Sequence, residues 1–384
     1  GEDSASAIVM DTQSGDVLAI GSAPAFDPNK FVRGISVADY AALTENIYRP
    51  LANKSVQGVY PPGSTFKMVT ALAALEDGVI SPEETVYCPG HKEVGGRKFH
   101  CWRRGGHGDV DLQESLQQSC DVYYYDIAER VGIEKISAMA RRLGLGQRYD
   151  LPISAVHSGL TPNKAWKLEH RDAEWVVGDT LNSGIGQGFV LASPLQLAVM
   201  TARLATGRAI VPRMVKSVDG VEVPVPEAAS MGLNPEHLRL VREGMNAVLN
   251  TRRGTAYGSR IVADGIRMAG KTGTSQVVAI TAAERAAGIT RNEDREWKRR
   301  DHALFVSFAP FDAPRIACSV VVEHGGGGSA VAAPIARDIM LQALYQGKPP
   351  LSAYPSSQRG RISTQQKKLI LRDPATLIDG QTRA

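Results

Sequence analysis

Four cysteines in 384 residues are too few for a disulfide scaffold. No apolar run is long enough to span a bilayer, and no signal peptide is visible. Gly1-Glu2-Asp3-Ser4 runs straight into a strand pattern, so the chain reads as a soluble part cut from a longer protein, with Gly1 a cloning remnant. The net charge is only +4 and no basic cluster is interleaved with aromatics, so nucleic acid is not an expected partner. What remains is ordinary for a globular protein, with 43% hydrophobic and 22% charged residues and room for one large domain or two modest ones.

Two apolar runs, 7–11 and 16–20, flank the turn residues Thr12-Gln13-Ser14-Gly15 and predict a β-hairpin. Three further strands are expected late in the chain, around 266–278, 303–308 and 316–323. Helical patterns fill the middle, including one opened by Ser193-Pro194 and one over 235–249. Residues 81–110 show little periodicity. The polar segment after Pro349 is expected to be a flexible tail, 350–384. The predicted class is α/β (α+β): one antiparallel five-stranded sheet from about 4–21 and 264–347, covered by helices, with a helical insert over about 60–250. These make one domain over 1–349.

The chemistry starts at Pro61-Pro62-Gly63-Ser64-Thr65-Phe66-Lys67. The prolines and glycine mark a sharp turn, and good helix formers follow. Ser64 then sits at a helix start, where free N–H groups favour developing negative charge. Lys67 lies one turn on, on the same face. A hydroxyl and an amine so placed can act as nucleophile and base if the amine is neutral, which burial or a second cation would promote. Alone, Ser-x-x-Lys is usually a capping serine and a surface lysine. Here it is the only such match, and two partner motifs follow: Ser119-Cys120-Asp121 and Lys271-Thr272-Gly273-Thr274. The glycine-dense 178–188 segment points to tight backbone or close approach to a ligand, with a plain turn at least as good a reading of Gly186-Gln187-Gly188.

With these three motifs in order, residues 4–347 resemble a penicillin-binding transpeptidase domain. Tyr60 to Lys67, Ser119 to Tyr125 and Gly184 to Gly188 resemble the penicillin-binding protein 2 group, the class B transpeptidases of cell elongation. One departure is that the wider family has Ser-x-Asn in the middle motif, which this chain lacks; Asp121 matches the elongation subgroup instead. Asp121 is then either a hydrogen-bond partner or a counter-charge for Lys67. The resemblance implies that Ser64 attacks a D-Ala-D-Ala stem peptide, Lys67 takes its proton and Ser119 relays it to the leaving group. Lys271 supplies a second positive charge and, with Thr272 and Thr274, holds the terminal carboxylate. Gly273 lets the substrate lie close. The backbone N–H groups of Ser64 and Thr274 form the oxyanion hole. β-Lactams would act as stalled donors. No cofactor is needed for the chemistry. The expected partners are peptidoglycan stem peptides, a membrane glycosyltransferase and elongation scaffold proteins, at the periplasmic face of the inner membrane, with anchor and pedestal outside this chain. A serine β-lactamase, a non-catalytic β-lactam sensor and a D,D-carboxypeptidase share the same motifs and stay open.

Cys88, Cys101, His107 and Cys120 fall within about thirty residues of a glycine-rich region. Three thiols and an imidazole suit a structural Zn2+, and a metal could replace a missing core. The spacing is not a zinc-finger pattern. A Cys88–Cys101 disulfide or buried free thiols are the alternatives.

Overall fold

The computed structural model describes residues 3–369. Five strands form one antiparallel sheet: β1 (Ala5–Asp11), β2 (Val17–Ala23), β3 (Ala269–Ser275), β4 (His302–Ala309) and β5 (Ile316–Val322). Their order is β2-β1-β5-β4-β3, so the first hairpin joins the three late strands, as expected. The helices that position the site are α1 (Lys67–Glu76), α2 (Asp121–Val131), α3 (Pro194–Thr206), α4 (Pro235–Asn250), α5 (Ala333–Tyr345) and α6 (Arg359–Lys368).

Strand side chains alternate between faces, and both faces of this sheet are buried. Ile8 and Met10 of β1 share a cluster with Leu195, Ala198 and Val199 of α3. Val9, between them, joins the opposite cluster with Met340 and Leu341 of α5. α3 starts as its sequence predicts: Ser193 caps the Gln196 N–H, Gln196 returns the bond, and Pro194 is the first helical residue. α1 lies in the middle of the insert, with nine of its ten residues buried. No helix among the described residues is long and apolar enough to cross a membrane.

One expectation is corrected, that of the flexible tail. Residues 81–110, aperiodic in sequence, form short strand pairs: Val86–Cys88 pairs with Gly108–Val110, and His91–Val94 pairs with Arg97–His100. Strands this short carry too few alternations to show a period. The tail after Pro349 is also built, with α6 and two 3-10 turns ahead of it. Ala353, Tyr354 and Ile362 are buried in the α5-side core. Three apolar anchors are enough to dock a segment whose average composition is polar. Residues 370–384 lie outside the described residues.

One buried carboxylate ties the sheet to the nucleophile turn. Glu323, just past β5, accepts from Ser4 Oγ at 2.6 Å and from the Tyr60 hydroxyl at 2.8 Å, and it pairs with Arg49. Burial alone would raise its pKa. The bonds from Ser4 and Tyr60 and the charges of Arg49 and Lys54 outweigh burial and hold it below the usual carboxylate range. A depressed folded-state pKa gives stability that is present above the unfolded value, about 4.3, and is lost as pH falls through the folded value. Glu323→Gln is therefore expected to cost about 1.5–3 kcal/mol at pH 7, with the gap to the parent closing below about pH 4 in thermal melts. A gap that is constant with pH refutes this role.

Candidate active site

Ser64 lies in a 3-10 turn, Gly63–Phe66, that runs directly into α1. The α-helix proper begins at Lys67, one turn later than the sequence indicates. Gly63 carries φ +54°, and a Cβ there would sit 2.5 Å from Thr274 O. Its N–H donates to Gly186 O at 2.8 Å. A Cβ on Gly273 would meet Thr65 Cγ2 at 2.9 Å and Pro62 O at 3.0 Å. The two glycines thus let the nucleophile turn pack directly onto β3. Gly273 makes room for that turn and also lines the cavity. The glycine-dense segment supports the same junction, because Gln187 Nε2 donates to Thr274 O at 3.0 Å.

Both lysines are fully buried behind the cavity wall. Lys67 Nζ lies 2.7 Å from Asp121 Oδ1, 2.9 Å from Ser119 O and 3.2 Å from Ser119 Oγ. Asp121 is therefore the hydrogen-bonded partner of Lys67, the contact that both readings of that position require. Burial raises the Asp121 pKa, and the Lys67 charge offsets only part of the rise. Lys271 Nζ donates to Ser119 Oγ at 2.8 Å and to Thr272 O at 3.1 Å. Burial, then the Lys67 charge, push the Lys271 amine well below its ordinary pKa. The Ser119 hydroxyl thus joins two buried amines. Ser119 itself has φ +57°, a strained conformation for a residue with a Cβ.

In front of the lysines a cavity of about 1000 Å³ is lined by Ser64, Ser119, Asp121, Asn182, Gln187 and Thr272 to Thr274. β3 is the outermost strand of the sheet, so one side of its backbone is open to this cavity. Lys271 does not line it. Thr272, Gly273 and Thr274 are the members of that motif that do. Thr272 Oγ1 is 2.9 Å from Thr255 Oγ1.

The four candidate metal ligands converge. Their donor atoms all lie within 4.8 Å of one another, and all four cysteines are free thiols. His107 Nδ1 is 3.5 Å from Cys101 Sγ and 3.7 Å from Cys88 Sγ. Tetrahedral zinc with ordinary bond lengths needs an S···N edge of roughly 3.6 Å. The donor set and its spacing fit zinc. Proton sharing reports the same crowding: Cys120 hydrogen bonds hold the Cys88 and Cys101 thiols down at about 4, while the Cys120 thiol is pushed up.

The cluster touches the middle motif directly through Cys101 and through Trp102, which the sequence reading missed. The Asp121 N–H donates to Cys101 Sγ at 3.4 Å. The Trp102 N–H donates to Asp121 Oδ2 at 2.8 Å, and Trp102 Nε1 donates to Ser119 O at 3.0 Å. Trp102, Gln187 and Thr255 complete the site. Their only advance signal is position, beside Cys101 for Trp102 and within the glycine-dense segment for Gln187.

A cavity-facing serine, two buried amines and a hydroxyl between them, set against an open strand, are the apparatus of acyl transfer through a serine ester. The comparisons make the class specific. The penicillin binding protein transpeptidase domain profile matches residues 5–341. The peptidoglycan D,D-transpeptidase MrdA of Haemophilus influenzae is 34% identical over 94% of this chain and 56% of its own length. MrdA of Escherichia coli K12 is 35% identical over 85% of this chain and 52% of its own. Among solved structures, Pseudomonas aeruginosa PBP2 in complex with WCK 5153 superposes with TM-score 0.79 at 38% identity, over 91% of this chain and 73% of that one. Helicobacter pylori PBP2 in complex with MreC gives TM-score 0.79 at 34% identity, over 90% and 60%. The chain belongs to the penicillin binding protein transpeptidase domain family. It spans about half the length of the curated relatives it matches.

Proposed function

We propose that this chain is the transpeptidase part of a peptidoglycan D,D-transpeptidase of the elongation type. The observation that carries it is the Ser119 hydroxyl, 3.2 Å from Lys67 Nζ and 2.8 Å from Lys271 Nζ, in one cavity with Ser64.

Ser64 Oγ attacks the carbonyl before the terminal D-alanine, and its proton passes to Lys67. Asp121 Oδ1 and the Ser119 carbonyl hold that amine in place. Negative charge on the carbonyl oxygen falls between the Ser64 and Thr274 N–H groups. The carbonyl C–N bond breaks, and Ser119, fed by Lys67 and Lys271, protonates the departing D-alanine. The substrate's terminal carboxylate meets Thr272 and Thr274, with Lys271 behind them. An amine of a second stem peptide then attacks the ester, forming the cross-link as the ester C–O bond breaks, and the proton it loses passes by Lys67 to Ser64 Oγ. β-Lactams enter as donors and stop at the ester.

Cys88, Cys101, His107 and Cys120 would hold one zinc ion, which would supply structural cross-linking of the loop beneath Ser119 and Asp121. The placement is the periplasmic face of the inner membrane. The partners are a membrane glycosyltransferase and scaffold proteins of elongation. The solved complex of the Helicobacter pylori relative with MreC, and the similarity to a chain from a peptidoglycan synthase complex, support that assignment.

Intact-mass spectrometry with benzylpenicillin tests the function. The parent is expected to gain one stable adduct, mapped to Ser64, and Ser64→Ala none. Rapid loss of the adduct with drug turnover indicates a β-lactamase instead. An adduct on another residue, or none in folded protein, overturns the assignment.

A further inference from the structure

The far end of the active cavity has a different character from the Ser64 end. Its wall is the ribbon His91–Val94/Arg97–His100 and the loop after it, faced by the excursion between β3 and β4. Arg97, Lys98, His100, Arg104 and Arg285 all line the main cavity. A second pocket, about 270 Å³, opens beside it and is lined by His91, His100, Cys101, Arg104, Arg285 and Ile289. Five of these residues line both spaces, so the pocket is a side chamber of the cleft that holds Ser64.

Among the described residues no carboxylate lines the side chamber, and the Cys101 thiol on its wall is turned to His107 and the Asp121 N–H. Neighbouring acids are engaged elsewhere: Glu284 pairs with Arg295 at 2.7 Å, and Asp126 and Glu129 pair with Lys92 at 2.8 and 2.9 Å. In the main cavity the two carboxylates are also occupied, Asp121 by Lys67 and Asp301 by Asn292 and the Val277 N–H. Among the described residues, Arg104 and Arg285 form no ion pair. Unmatched guanidinium groups beside a recess are suited to a planar anion, and arginine favours carboxylate because its fork donates two parallel bonds. The chamber has the size of a side chain rather than of a polyanion, and Ile289 offers an apolar flank for methylene groups. The anion must also belong to a molecule already lying in the cleft.

Resting on the transpeptidase reading, we propose that the chamber of His91, His100, Arg104 and Arg285 is a subsite for a carboxylate of the stem peptide other than the one at the cleaved terminus. That terminal carboxylate has its own partners in Thr272 and Thr274. The second carboxylate can come from the donor strand, upstream of the attacked carbonyl, or from the acceptor strand, beside its nucleophilic amine. Both sources present the same group to the same guanidinium pair.

Arg104→Gln and Arg285→Gln, singly and together, test the subsite against the parent. The donor arm compares acylation rate constants for carbenicillin and benzylpenicillin, which differ by one side-chain carboxylate. The acceptor arm uses a D-alanyl thioester donor and measures transfer to D-alanine relative to D-alaninamide. Each arm is a ratio within one protein, so a general loss of folding or acylation cancels. The double variant is expected to lower the ratio about tenfold in one arm, which identifies the source. Ratios within twofold of the parent in both arms overturn the subsite. A parent that forms no Ser64 adduct refutes the transpeptidase reading and the subsite with it. A parent that is acylated while both ratios stay indifferent refutes the subsite alone.

Discussion

Lys67→Ala is expected to slow benzylpenicillin acylation about 10³-fold, read as the rate of adduct formation by mass spectrometry. The amine is the buried base nearest in sequence to Ser64, and no carboxylate but its own partner Asp121 stands in that part of the cavity. Alanine also strands the Asp121 carboxylate, so the variant alone mixes chemistry with lost stability. Lys67→Arg separates them. Arginine keeps the positive charge opposite Asp121 but does not give up its proton. The arginine variant is expected to lose acylation nearly as completely as alanine while melting closer to the parent. Retention of more than a tenth of the parent rate by Lys67→Arg means that the amine acts only as a charge, and the proton route is wrong.

The second large effect concerns the metal. Protein purified without added zinc is expected to carry about one zinc per chain by elemental analysis. Stripping the metal with a chelator is expected to slow acylation at least about tenfold and to lower the melting temperature, and added zinc restores both. The route is short: Cys101 Sγ accepts the Asp121 N–H, and Trp102, the next residue, holds both Asp121 and Ser119. Cys101→Ser is expected to reproduce the metal-free state. Cys318→Ala is the control, since Cys318 sits in β5 within the α5-side core. Full-rate acylation by demonstrably metal-free protein removes the zinc from the site.

How much of this was readable beforehand depends on range. Ser64 and Lys67 were legible because one helical turn relates them. β1, β4 and β5 were legible because buried strands read as apolar runs. The convergence of Cys88, Cys101, His107 and Cys120 was visible only as a crowded window. The short paired strands that bring the ligands together have no periodicity of their own. Gly265 to Thr272 shows the opposite hazard. It satisfies the spacing of a phosphate-binding loop, Gly-x-x-x-x-Gly-Lys-Thr, yet Gly270, Lys271 and Thr272 lie inside β3 with no helix opening after them. Trp102, Gln187 and Thr255 act across long sequence separations, and their side chains carry no mark of their targets. The direction of Lys271, inward to Ser119 rather than outward to the cavity, likewise follows from strand pairing and not from motif order.

The position of β3 has a further consequence for the protein in bulk solution. An outermost strand with one unpaired side is a template for association with any other extended chain, and soluble proteins must blunt such edges. Here the border is recessed in a cleft, and Gln187 already occupies the carbonyl of Thr274. That recess is a cavity of about 1000 Å³, small against the sheet of a second molecule. Burying the recognition strand therefore also protects the protein against aggregating through it.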